Sequence, residues 1–225
     1  MIKFKYMETV NVYNISDPQI AYPMDRDEFY REQIEVFQKE GRPSKAVELI
    51  IVLLFNSHGE ILIQKRSNQK SHNAGLLDKS IGGHIKRGDS PEYTAMVETI
   101  QELQTPSIIL SDQEDFNKTM LLLRDYLETI AVVQFIDKNL YAIPKVINGE
   151  KVDIGNMVHF YLGVYNGKIR PVDREAKGVL WYSLQELKDE IKKAPEMFSL
   201  DLHFYLTQYK EEIEYFVANI LKKES

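Results

Sequence analysis

No cysteine occurs anywhere in the 225 residues. Disulfides, thiolate zinc sites and a cysteine nucleophile are therefore excluded together. The same absence fits a reducing compartment. No stretch approaches the roughly 18 consecutive apolar residues of a membrane span. The opening MIKFKYMETVNVYN lacks the apolar core of a secretory leader. There is no internal repeat, low-complexity tract or evident linker. An excess of positive charge is missing too: the formal net charge is −6, which argues against a general binder of a nucleic-acid backbone. The expectation is a cytoplasmic protein with neither a membrane nor a nucleic-acid polymer as partner.

What is present is ordinary for a folded chain, 44% hydrophobic and 28% charged, enough apolar sequence for a substantial core. The length suits one large domain, or one domain with terminal additions. METVNVYN alternates like a strand. DRDEFYREQIEVFQKEG reads as a polar helix, capped by Asp25 or Asp27 and stopped by Gly41. AVELIIVLLFN is a buried strand, with EILIQKR as its hairpin partner across NSHG. Pro91 to Gln104 reads as a helix with Ser90 as N-cap and Pro106 as its stop. SDQEDFNKTMLLLRDYLE holds a further helix. TIAVVQFI, MVHFYLGVY and GVLWYS are strands, with a tight turn at Asn166–Gly167. LQELKDEIKK and DLHFYLTQYKEEIEYFVANILKK are helices with an apolar stripe. Strands interleaved with helices suggest a sheet covered on both faces.

The stretch GGHIKRGDSPEYTAMVETIQELQ, residues 82–104, carries the most chemistry. Glu98 and Glu102 are one helical turn apart, with Gln101 between them on the same face. Two carboxylates so placed offer hard oxygen ligands to Mg²⁺ or Mn²⁺, in the half of the helix whose dipole favours a cation. Gly82 and Gly83 permit a tight turn that brings backbone close to that face. By spacing alone the pair is equally a solvated surface feature.

The stretch resembles the Nudix box, G-x₅-E-x₇-R-E-U-x-E-E-x-G-U with U a bulky apolar residue. With Gly83 on the first glycine, Asp89 takes the first acidic position, Val97 the arginine, Glu98 the next glutamate, Gln101 and Glu102 the glutamate pair, and Gln104 the second glycine. Similarity extends over roughly residues 8–210. AVELIIVLLFNSHGEILIQKRS resembles the strands before the box, and GVLWYSLQEL and FSLDLHFYL resemble later parts of the fold. NAGLLDKSIGGHIKRGDS is similar to the branch containing type I isopentenyl-diphosphate isomerases and their hydrolase-like relatives. The resemblance implies a Nudix-type α/β/α sandwich with a mixed sheet and extra N- and C-terminal helices. It implies a single domain over 1–225: an extension to about 45, a core of about 46–195 and a C-terminal helix of about 198–223.

The same resemblance implies divalent-metal-dependent hydrolysis of a small diphosphate compound, with Mg²⁺ or Mn²⁺ as cofactor. Glu98 and Glu102 are the implied catalytic and metal residues, joined at the metal by Gln101 and the Gly83 backbone carbonyl. Arg66 and Lys70 match an Arg-x₃-Lys that engages diphosphate, and His84 matches a ligand histidine of the isomerase branch. Asp89 and Glu175 are supporting acids. Gln101 and Val97 depart from the box, and losing a residue that braces ligands costs about 10–100-fold in affinity or activity. Weakened hydrolysis and a non-catalytic module binding a nucleotide or diphosphate both stay open. Isomerisation does not, because the catalytic cysteine position holds Gly82. Gln104 and Thr105 replace the closing Gly-apolar pair, so the helix is expected to end differently. Trp181 and His159 read as structural, and the C-terminal stripe serves packing on its own sheet or a homodimer.

Overall fold

The computed structural model of the protein describes residues 8–68, 72–147, 149–169 and 176–222. Strands β1 (Thr9–Asn14) and β2 (Asp17–Asp25) lead into helix α1 (Arg26–Glu40). Asp25 caps α1 by accepting from the Glu28 N–H, and Gly41 closes it in the left-handed region at φ 71°. Then come β3 (Lys45–Phe55), β4 (Ile61–Arg66), the two-residue β5 (Leu77–Asp78) and β6 (Ile81–His84). Helix α2 (Pro91–Leu103), β7 (Ser107–Leu110) and α3 (Gln113–Leu122) precede a long hairpin, β8 (Ala131–Ile147) and β9 (Glu150–Val164). The described chain ends with β10 (Ala176–Tyr182), α4 (Leu184–Lys193), α5 (Leu200–Gln208) and α6 (Lys210–Lys222).

The ten strands form one mixed sheet with the path β10-β4-β3-β9-β8-β7. β3 runs parallel to β9 from Ala46↔Gly155 to Phe55↔Val164 and is buried almost throughout. Alternate β3 residues feed two cores. Leu49, Ile51, Leu53 and Phe55 pack with Phe29 of α1, Phe116 of α3, Leu187 of α4, Tyr205 of α5 and Phe216 of α6. Ile50, Val52 and Leu54 pack with Ala95 and Leu103 of α2. The expected α/β/α architecture is therefore present, and α2 alone among the described helices supplies the second core. Each fully buried aliphatic or aromatic side chain there contributes about 1.5–3 kcal/mol.

Three local expectations are corrected in part or whole. β4 is the antiparallel neighbour of β3 across the turn, as expected, but pairs with it only at Phe55↔Ile61, and along its length it pairs with β10. The space along β3 is taken by β6, in the register Leu49↔His84 to Val52↔Ile81. The expected C-terminal helix breaks into α5 and α6 at Tyr209, at φ −108° and ψ 29°. This residue stacks face to face on Phe160 with ring centroids 3.8 Å apart. Asn166–Gly167 joins no two strands. Asn166 Oδ1 accepts from the Ser57 N–H at 2.8 Å, and a Cβ on Gly167 would collide with the Glu128 carbonyl oxygen.

The end of α2 is a fourth correction. Gln104 itself adopts the left-handed conformation, φ 54° and ψ 30°. Its N–H donates to the Ile100 carbonyl at 3.0 Å, and the Thr105 N–H donates to the Thr99 carbonyl at 3.2 Å. The first of these is the 5→1 bond of the αL closure, whose left-handed position is usually held by glycine. The helix is closed before Pro106, with a side chain where glycine would be unstrained.

Candidate functional site

β6 pairs only with β3 among the described strands. Beyond its other edge opens a cleft of about 290 Å³. Gly83 and Glu98 form one wall, in close contact: a Cβ on Gly83 would sit 2.5 Å from Glu98 Oε1. Glycine lets the strand backbone lie directly against the carboxylate, where a larger residue would displace it. Glu102, one turn further on, is 7% exposed. Its Oε2 accepts from Gln64 Nε2 at 3.1 Å, and the same amide reaches the Ser80 carbonyl at 3.4 Å. Gln64 is an inward-facing glutamine in the alternating strand ILIQKR, and sequence reasoning passed over it. Gln101 is exposed on the same face and also lines the cleft.

The cationic part of the lining comes from distant parts of the chain. Arg66, at the end of β4, donates from Nε to the His72 carbonyl at 3.2 Å and pairs with Asp78 at 3.4 Å. Lys79 Nζ lies 3.2 Å from Asp78 and 3.5 Å from Asp201. Lys145, on β8, is 5% exposed and lies 3.8 Å from the same Asp201 oxygen and 3.2 Å from Asn156 Oδ1. Burial pushes the Asp78 carboxyl up, but Lys79, Arg66 and the Ser199 hydroxyl outweigh it and hold it below the usual carboxylate range. For Lys145, burial works against the ammonium, while Tyr30, Asp201 and Asp78 beside it raise its pKa and keep it charged. Sequence reasoning missed Asp78, Lys79, Lys145 and Asp201. Their trace was charge inside apolar runs, LLDKSI, AIPKVI and SLDLHF.

His84 lines the cleft, and its Nε2 is engaged by the Tyr30 hydroxyl at 2.8 Å. Burial, with Arg26 and Lys145 nearby, lowers its pKa well below the ordinary histidine value. The Tyr30 hydroxyl occupies that nitrogen, so it is not open to a ligand. His72 packs edge-on against Tyr30, with centroids 4.6 Å apart. Burial followed by the charges of Lys145 and Arg26 lowers its pKa to about 4. Asp89 lies outside the cleft lining, in the turn where its N–H donates to the Lys86 carbonyl at 3.0 Å. Lys70 and Glu175 fall outside the described residues.

Among the described residues, no three His, Asp or Glu side chains converge as a metal cluster. The available donors are nevertheless the right kind for Mg²⁺ or Mn²⁺, which are held by one or two carboxylates plus phosphate and water oxygens. The Glu98–Glu102 face under Gly83, kept open by the missing Cβ, fits such an ion.

An acidic helix tucked under a glycine-rich strand, on a mixed sheet covered by helices, defines the class of protein. The NUDIX domain model matches residues 45–202, and the chain belongs to that family. It is 27% identical over 160 residues to an isopentenyl-diphosphate Delta-isomerase of Serratia proteamaculans, covering 71% of this chain and 73% of that protein. It is 24% identical over 168 residues to the enzyme of that name from Streptomyces coelicolor, covering 75% and 70%. In fold it is similar to DR0079 from Deinococcus radiodurans, with TM-score 0.53, 15% identity, and coverage of 83% of this chain and 90% of that one.

Proposed function

We propose that the protein hydrolyses a small diphosphate compound with the help of Mg²⁺ or Mn²⁺. The observation that carries this reading is the meeting of opposite charges in one cleft. Glu98 and Glu102 line it together with Arg66, Lys79 and Lys145. A bound ion would neutralise phosphate charge and make water a better nucleophile. Glu102, fixed by Gln64, would be one of its ligands. Water attacks phosphorus, Glu98 accepts its proton, and the bond from phosphorus to the bridging oxygen breaks. Arg66 and Lys79 offset the charge on the departing oxygen. Type I isomerase chemistry by a thiol does not apply, since Gly82 carries no side chain.

The chain works as one unit in this reading. Arg26 and Tyr30 come from the extension before residue 45 and Asp201 from the C-terminal helical part, and all three line the cleft. The test is phosphate release from a panel of diphosphates with Mg²⁺ or Mn²⁺. Glu98→Gln should lower turnover at least ~100-fold. An unchanged rate in that variant would remove the mechanism. The pair of departures at Val97 and Gln101 supports a second reading, a module that binds diphosphate without cutting it. Val97→Arg combined with Gln101→Glu distinguishes the two: activity appearing only in the double variant favours binding alone.

A further inference from the structure

We propose that the outer edge of β7, with the flank of α2 beside it, is where a second copy of this chain docks, the two β7 strands pairing antiparallel across a two-fold axis at Ile109. The surface is independent of the diphosphate reading. β7 ends the strand path and pairs only with β8 among the described strands. The Ala131 N–H donates to the Pro106 carbonyl at 2.8 Å, and the parallel register runs from Ser107↔Ala131 to Leu110↔Gln134. Alternate residues of such a strand bond its neighbour, so Ile108 and Leu110 turn their backbone groups to β8, while Ser107 and Ile109 turn theirs outward. Two other outer edges are blunted: β2 carries Pro18 and Pro23, and β10 has a register shift between Ala176 and Gly178. β7, with the sequence SIIL, has no proline, charge or bulge.

α2 continues this edge. The Thr99 and Ser107 hydroxyls lie 2.8 Å apart and tie the helix to the strand. Tyr93, Met96 and Ile100 are 51%, 36% and 47% exposed. Helical periodicity puts them on one flank of α2, opposite the flank on which Glu98 meets Gly83 of β6, and so on the β7 side. Charge decides the occupant. From residue 93 to residue 110 the only charged side chains are Glu98 and Glu102, and both belong to the cleft. A strongly charged partner finds no counter-charge on this face, whereas two chains of net charge −6 meet there with least repulsion. The shape is self-matching too. Ile109 packs towards α2, against the core that holds Ala95 and Leu103. Antiparallel pairing of Ile109 with its own mate lets each Ile109 N–H donate to the other's carbonyl. It also keeps both α2 helices on one face of the joined sheet, with their apolar stripes turned towards each other. Closure about the axis leaves neither edge open.

The test is sedimentation equilibrium of the full chain, joined to amide hydrogen exchange read by NMR at low and high protein concentration. The unaltered chain should reach twice the mass of one copy, and exchange at the Ile109 amide should slow at least about tenfold as the dimer fills. Ile100→Lys, at an exposed position and with folding checked by circular dichroism, puts like charges on both stripes and should weaken dimerisation at least about tenfold. Ile20→Lys, on β2 at a 76% exposed position, should leave dimerisation unchanged. A chain that stays monomeric would overturn the proposal and leave the face to a different protein's strand. A dimer that Ile100→Lys does not weaken, that Ile20→Lys weakens equally, or that leaves exchange at Ile109 unaltered would overturn it as well.

Discussion

Gly83 sets how the Glu98 carboxylate lies, because the strand backbone and the side chain share space that a methyl group would occupy. In Gly83→Ala the new Cβ meets the carboxylate and the atoms leading to it, and the flexible end can swing away. Stability should therefore change by less than about 1 kcal/mol, while Mn²⁺ affinity, read by titration, should fall ~10–100-fold. Glu48 makes a different kind of prediction, outside the cleft. Its carboxylate is 5% exposed and takes hydrogen bonds from His159 at 2.8 Å, Asn11 at 2.8 Å and Tyr13 at 3.0 Å. Burial raises its pKa, but His159 first, then Asn11 and Tyr13, outweigh that and bring it to about 2. The unfolded chain binds this proton first as the pH drops. Glu48 thus stabilises the fold above its ordinary value of 4.5 and loses that contribution as pH falls towards 2. After allowance for solvent screening the contribution is on the order of 2 kcal/mol. Denaturant midpoints measured from pH 6 down to 2 should show a flatter acid limb in Glu48→Gln. Two identical limbs would show that the His159–Glu48 contact is energetically idle.

Helices announced themselves well where their ends carry specific chemistry. Asp25 and Gly41 bound α1, and Ser90 and Pro91 open α2. Strand partners were less legible, because alternation says which face a residue takes and not which strand lies beside it. EILIQKR has the pattern of a hairpin arm and does lie beside β3, yet most of its pairing is with β10, while β6 pairs along β3. The break at Tyr209 was hidden for a similar reason. The apolar stripe of α5 and α6 continues through it, and the stacking of Tyr209 on Phe160 is a tertiary event. The end of α2 was misjudged because glycine's absence suggested a different closure, whereas the left-handed 5→1 closure forms at Gln104 all the same. A side chain in that conformation costs about 1 kcal/mol relative to glycine. Gln104→Gly should therefore raise stability by roughly that amount in urea unfolding. A lowered midpoint would mean that the Gln104 side chain contributes more than its backbone strain costs.

The half of the cleft that follows one local motif, Gly83, Glu98, Gln101 and Glu102, could be picked out from the resemblance to the Nudix box, spacing alone showing only that the three helical residues share a face. The other half could not, because it is assembled by topology. β8 brings Lys145, the turn into β6 brings Lys79, α1 brings Tyr30, and the first turn of α5 brings Asp201. Asp201 is what holds these segments in charge balance. It is 4% exposed and faces both Lys79 and Lys145. The two lysines are not equivalent in its absence: Lys79 keeps Asp78 at 3.2 Å, while the other polar contact of Lys145 is the neutral Asn156. Asp201→Ala would leave a buried ammonium without a counter-charge, and removing one partner of such a pair costs about 3–5 kcal/mol. The expected loss is towards the lower end, ~3 kcal/mol, because Tyr30 and Asp78 still favour the charged lysine. Chemical denaturation would measure it, and adding Lys145→Met to Asp201→Ala should recover much of the loss by removing the stranded charge. If the double variant is no more stable than Asp201→Ala alone, the cost lies in the other contacts of Asp201, the Asn73 amide among them, and not in the electrostatics of the basic lining.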